Sequence, residues 1–138
     1  KRMSEKIIRF LGNPAEKTIA IFGLAFKANT DDMRESPAIP IIWDLLDAGA
    51  QIRVHDPRAL QEGKKIFGKN ILYFDNEYET VTGADALVIL TEWRSYLDLD
   101  FKLLKKKMNK AILIDLRNLF SPEKVKEHGF IYEGIGKR

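Results

Sequence analysis

The chain has 138 residues, enough for one domain with a sizeable core, and its 45% apolar and 31% charged residues are ordinary for a globular protein. A net charge of +3 and a pI near 9.1 come from Lys and Arg mixed with Asp and Glu, which does not establish a nucleic-acid surface and suits a phosphate-bearing small ligand equally well. With no cysteine, disulfides, thiolate metal sites and cysteine nucleophiles are excluded within the chain; no signal peptide and no apolar run near the roughly 18 residues of a membrane span are visible, so a cytoplasmic setting is the default expectation.

Met3, Ile7, Ile8 and Leu11 recur at helical spacing before Gly12-Asn13-Pro14 ends the segment. Two readings stand for it: the last turns of a helix entering from elsewhere, or an ordinary N-terminal helix. Residues 18–22 form an apolar run that stops at Gly23, as a buried strand does before a tight turn. Ser36-Pro37 then opens a helix marked by Ile39, Ile42, Trp43, Leu45 and Leu46 and closed at Ala48-Gly49. Further strands are expected over 51–55, 71–74, 86–90, 111–115 and 130–132, and helices over 77–82, 101–108 and 122–128. The Lys105-Lys106-Lys107 run reads most simply as a solvated helix face. Strand–helix alternation at this period predicts an α/β domain: a doubly wound, Rossmann-like parallel sheet of about six strands.

In such a sheet the loops at the carboxyl ends of strands line the ligand crevice. The loop after the first strand carries Lys27, Asp31, Asp32 and Arg34 and leads to a helix N-terminus, a usual place for an anion. Lys27 offers a point charge to phosphate and Arg34 a planar fork, although Arg34 has Asp31, Asp32 and Glu35 beside it as ion-pair partners. Only Gly23 stands where a dinucleotide fingerprint needs three glycines, so Gly-x-Gly-x-x-Gly is absent. Asp56 ends the second strand, where a ribose-binding carboxylate sits in a dinucleotide fold. It comes 33 residues after Gly23, against about 20 for that role, which favours a turn or cap with Pro57. His55 and His128 lack metal-ligand spacing, so no metal is expected. Thr91-Glu92-Trp93 follows the fourth strand, with Trp93 placed either to stack on a base or to cap the core. Asp115-Leu116-Arg117-Asn118 follows the fifth, where Arg117 is a ligand cation or an ion-pair residue with equal weight. No nucleophile–base constellation is visible, so the residues point to binding rather than catalysis.

The stretch Gly23-Leu24-Ala25-Phe26-Lys27-Ala28-Asn29-Thr30-Asp31-Asp32-Met33-Arg34-Glu35-Ser36-Pro37 closely resembles the signature of the C-terminal domain of the UDP-glucose/GDP-mannose dehydrogenase family. The resemblance continues, in order, through Val54-His55-Asp56-Pro57, Ala84-Asp85-Ala86, Thr91-Glu92-Trp93, Asp115-Leu116-Arg117-Asn118 and Tyr132-Glu133-Gly134-Ile135-Gly136. It implies a larger enzyme with an N-terminal NAD-binding Rossmann domain, a central helical region that forms a homodimer, and this nucleotide-sugar-binding domain. Residues 1–14 would end the linking helix and 15–138 would form the UDP-binding domain. The enzyme would oxidise UDP-glucose to UDP-glucuronate in two successive NAD-dependent steps at C6. A sibling specificity for UDP-N-acetyl-mannosamine or GDP-mannose is an alternative, as is a free-standing nucleotide-binding or regulatory domain. The family's catalytic cysteine and the residues that assist it lie upstream, so no catalytic residue is expected in this chain and the chain alone should be inactive. Lys27, Phe26, Arg117, Glu92 and Trp93 take the family's substrate side and Arg34 its cofactor side. Asn118 departs from a basic residue sometimes present there, which weakens the Arg117 assignment. Neither nucleic acid nor membrane is expected as a partner.

Overall fold

The computed structural model describes residues 2–134; Lys1 and the Ile135-Gly136 end of the last motif lie outside them. The elements in chain order are α1 (Arg2–Leu11), β1 (Thr18–Phe22), α2 (Ala38–Asp47), β2 (Gln51–His55), α3 (Leu60–Phe67), β3 (Leu72–Phe74), α4 (Glu77–Val81), β4 (Ala86–Ile89), α5 (Phe101–Lys107), β5 (Ile112–Asp115), α6 (Pro122–Glu127) and β6 (Ile131–Gly134). The six strands form one sheet in the order β3-β2-β1-β4-β5-β6, and every neighbouring pair is parallel. This is the doubly wound topology expected from the alternation, with its switch point between β1 and β4.

The central strands are apolar along their length because both sheet faces are covered. All four residues of β4 and four of five in β1 are buried, and they align in register as Ile19↔Ala86 through Phe22↔Ile89. Right-handed crossovers put α2 and α3 on one face and α4, α5 and α6 on the other. Trp43 of α2 meets Phe67 of α3 with ring centroids 5.1 Å apart. Phe101 of α5 meets Phe120, Phe130 and His128 at 5.1–5.8 Å. The first helix docks onto α2 through fully buried Ile7 and through Ser4, whose hydroxyl donates to Asp44 at 2.7 Å.

Local signals act as their chemistry dictates. Pro37 is already helical (φ −64°, ψ −15°), and the Ser36 hydroxyl accepts the amide of Ala38 while donating to the carbonyl of Leu24. The helix ends where Gly49 takes φ +96°, with the amides of Gly49 and Ala50 returning to Leu46 and Leu45. One helix escapes sequence periodicity: α3 carries Gly63 at its centre and few apolar residues. The glycine is there for packing, since a Cβ would come 2.8 Å from the Leu24 side chain. Strand and helix ends otherwise differ from expectation by a residue or two. The largest shift is β6, which starts one residue later and continues to Gly134.

Candidate functional site

At the carboxyl edge of β1 the chain must turn sharply beside β4. Gly23 has φ +105°, and its amide extends the ladder to the carbonyl of His55 at 2.8 Å. A Cβ on Gly23 would lie 2.5 Å from the Thr91 amide nitrogen, so both backbone angle and space require glycine. Buried Thr91 crosses the turn, its hydroxyl donating to the carbonyl of Ala25 at 2.9 Å.

Beneath the same turn lies Asp56, only 3% exposed. One carboxylate oxygen accepts the amides of Leu24 (2.7 Å) and Ala25 (3.0 Å) and the indole N–H of Trp93 (3.3 Å). The other accepts the amides of Arg58 and Ala59, both at 2.8 Å, ahead of α3. Asp56 therefore has the turn-and-cap role favoured by its spacing, and it also reaches the first loop and the loop after β4. Trp93 is 6% exposed and covers the core from above.

Lys27 and Phe26 follow directly and point outward; Phe26 is 45% exposed. Lys27 makes no hydrogen bond or ion pair among the described residues, and its charge acts on Asp32 at a distance. Arg34 forks onto Asp32, with Nε and Nη2 donating at 3.0 and 2.9 Å. Those bonds hold the Asp32 carboxyl down at about 2, although Arg34 is exposed and Asp32 partly so, and the pair adds little stability. The loop closes on itself through Phe26 N to Asp32 O at 2.7 Å, and Asn29 and Glu35 take left-handed angles of +69° and +60°. Between this loop and α3 is an open hollow lined by Asp31, Asp32, Arg34, Ile39, Glu62 and Ile66. Three acids there face one already paired arginine, which does not favour a diphosphate.

Arg117 comes to the same edge from β5. Its Nη2 lies 2.9 and 3.0 Å from the two carboxylate oxygens of Glu92, joining the loops after β4 and β5. Nε and Nη1 have no protein acceptor among the described residues. Its backbone is fixed by Asp115, a fully buried carboxylate that accepts the amides of Arg117, Leu119 and Phe120 and the hydroxyl of Tyr132. Asn118 sits inside this wrap at φ +55°, a conformation asparagine tolerates better than a long basic side chain. Burial and the Asp115 charge push the Tyr132 hydroxyl well up from its ordinary value.

A second buried group lies behind the turn. His55 Nδ1 is 3.0 Å from the Tyr96 hydroxyl and Nε2 is 3.2 Å from the carbonyl of Asp75, with Glu77 at 3.8 Å. A carbonyl can only accept, so Nε2 carries the proton and Nδ1 accepts from Tyr96. Burial lowers the His55 pKa despite the acids Glu77, Asp56 and Asp75 nearby. Sequence reasoning assigned no role to Asp115, His55 or Tyr96. For Asp115 a signal existed: an acid at a strand end, followed by a short polar turn, tends to collect the turn's amides.

The family model for the UDP-glucose/GDP-mannose dehydrogenase family, UDP binding domain, matches residues 20–122, which include the Gly23 turn, Asp56, Glu92, Asp115 and Arg117. The chain belongs to this family. A UDP-glucose 6-dehydrogenase of Rhizobium meliloti (strain 1021) is 41% identical over 138 residues, covering 99% of this chain and 31% of the relative. The structure of a UDP-glucose dehydrogenase from the archaeon Pyrobaculum islandicum superposes with a TM-score of 0.81 at 28% identity, covering 98% of this chain and 29% of that one. An NDP-N-acetyl-D-galactosaminuronic acid dehydrogenase from Methanosarcina mazei Go1 gives 0.82 at 32% identity, over 99% and 28%. The chain thus spans less than a third of each of these relatives. The family match and the motif spelled by residues 23–37 agree. Among the described residues no helix is long and apolar enough to cross a membrane.

Proposed function

We propose that this chain is the C-terminal, UDP-binding part of an NAD-dependent UDP-glucose 6-dehydrogenase that oxidises UDP-glucose to UDP-glucuronate in the cytoplasm. Residues 15–138 are the binding domain, and residues 1–14 end the helix that links it to a dimer-forming central region. The observation that carries the reading is the family match through a switch-point edge where Lys27 and two nitrogens of Arg117 have no protein partner among the described residues. Lys27 supplies a point charge to the diphosphate and Arg117 a partly vacant fork, held in place by Glu92. Phe26 offers an exposed ring for the nucleotide, and Trp93 shapes the wall behind it. Arg34, whose side chain is 89% exposed, is assigned to the cofactor side by its place in the family motif.

NAD accepts hydride in the proposed reaction, and its site is assigned to another part of the full-length enzyme. The turn in this chain does not fit a dinucleotide: it has one glycine, and its Leu24 and Ala25 amides are already bonded to Asp56. The catalytic cysteine likewise belongs upstream, and the chain alone is inactive. Its own contribution is to hold the diphosphate and to cover the substrate, which keeps water from the reacting carbon.

Calorimetric titration of UDP into the chain and into Lys27→Ala and Arg117→Ala variants tests the binding role. We expect each variant to lose about tenfold, the scale of one charge-assisted contact. Equal binding by all three proteins, or none by any, refutes it. In the full-length protein, NADH production with UDP-glucose against UDP-N-acetyl-mannosamine and GDP-mannose tests the substrate.

A further inference from the structure

We propose that Asp56 is the resident anion of the turn at the switch point. It fills with its own carboxylate the seat that the turn's amides offer to phosphate, and so confines a nucleotide ligand to the outer side of the loop, beyond Ala25. This rests on the geometry of the turn and not on the identity of the sugar.

In an open α/β sheet the turn after the first strand presents backbone N–H groups into the crevice, and dinucleotide folds use them for phosphate. Here the Leu24 and Ala25 amides converge on a single oxygen of Asp56 at 2.7 and 3.0 Å. The same carboxylate takes the Trp93 indole and the amides of Arg58 and Ala59, five donors in all. A carboxylate has about four lone-pair sites, so none remains for a ribose hydroxyl. The turn's carbonyls are used as well: Leu24 O accepts from Ser36 and Ala25 O from Thr91. From above, Thr91 fills the space that glycine opens at Gly23, space a diphosphate would need. The polar groups of Leu24 and Ala25 are thus consumed internally. The first residues past the seal are Phe26 and Lys27, both exposed.

The test is chemical rescue in this chain, together with ligand mapping by NMR. Asp56→Ala should lower the melting temperature by about 10 °C, because buried amides lose their acceptor. Formate should return about half of that loss, while chloride at equal ionic strength returns none. If Asp56→Ala does not fold in chloride, the yield of folded protein on refolding in formate against chloride reads the same effect. Asp56→Asn fills the seat with a neutral amide and should not respond to formate. In the unmodified chain, inorganic pyrophosphate should leave the Leu24 and Ala25 amide signals in place while shifting those of Phe26 and Lys27.

Rescue by formate with silent Leu24 and Ala25 amides supports the proposal. It is overturned if chloride rescues as well as formate, if Asp56→Asn is rescued to the same extent, or if pyrophosphate moves the Leu24 and Ala25 amides. Silence at Phe26 and Lys27 would count against the binding role proposed above and leaves the formate result to judge the seat.

Discussion

Replacing Asp115 with alanine should damage the stability of the domain and its ligand edge together. The carboxylate is fully buried and accepts four hydrogen bonds, from the amides of Arg117 (3.1 Å), Leu119 (3.1 Å) and Phe120 (2.9 Å) and the hydroxyl of Tyr132 (3.2 Å). The Arg117 and Leu119 amides are only partly buried, so water can replace the carboxylate there. The bonds from Phe120 and Tyr132 are buried, and each is worth about 2 kcal/mol to a charged acceptor. Relief of the buried charge offsets part of this, leaving a loss of about 3 kcal/mol. That is a large share of the roughly 5–15 kcal/mol that holds such a domain together. With an m value of about 1.5 kcal/mol/M, the urea midpoint should fall by about 2 M. Tyr132→Phe removes one of these two buried bonds and should cost about 2 kcal/mol. In Asp115→Asn the side-chain NH2 must face donors at one of the two oxygens, so it should fall between the other variants. UDP affinity should weaken with stability, since Asp115 sets the backbone that carries Arg117. An Asp115→Ala midpoint within about 0.5 M of the unmodified chain would refute the reasoning.

Three further outcomes follow. Gly23→Ala should cost more than about 3 kcal/mol, and adding Thr91→Ala should not repair it, because the Thr91 backbone nitrogen and the φ of +105° both remain; thermal unfolding of the single and double variants decides this. Burial lowers the His55 pKa in the folded state, while the unfolded chain takes up a proton near the ordinary value of 6.5. The unfolded state then binds more protons below that pH, so stability should fall from pH 7 toward 5 by at most about 1.4 kcal/mol per unit, and His55→Gln should flatten the slope in urea titrations. NMR titration should find the Asp32 carboxyl at about 2, and Arg34→Ala should return it toward 3.8; an unmoved midpoint would mean that the fork on Asp32 is not held in solution.

The fold was legible because its signals are local and redundant. Apolar strands, Gly23 and Gly49 at turns, and Ser36-Pro37 at a helix start each state one element, and together they force a parallel, doubly wound sheet. The exception is α3, which has Gly63 at its centre and few apolar residues and is not expected from periodicity. The reason for the glycine lies in Leu24, distant in sequence but adjacent in space. The candidate site was legible in residue type more than in pairing. Lys27, Arg34 and Arg117 were identifiable as cations at strand ends. That Arg34 puts two nitrogens on Asp32 in its own loop, while Arg117 puts one on Glu92 in the next, depends on side-chain geometry.

The two buried aspartates explain why those cations stand where they do. Asp56 and Asp115 each end a strand at the same edge, and each gathers the amides of the loops it touches. The first ties down residues 24–25, just ahead of Phe26 and Lys27; the second ties down residues 117–120, including the backbone of Arg117 itself. A loop whose amides are spent on an internal carboxylate cannot also wrap a phosphate with them, so the proposed binding role falls to side chains beyond the tie. That division assigns rigidity to the aspartates and charge to Lys27 and Arg117. It also predicts an asymmetry: lysine or arginine substitutions at the edge should change affinity with little loss of stability, whereas Asp56 and Asp115 substitutions should lose both. Measuring melting temperature and UDP affinity across the four positions separates the two classes, and a Lys27→Ala chain that melts as early as Asp115→Ala would contradict the division.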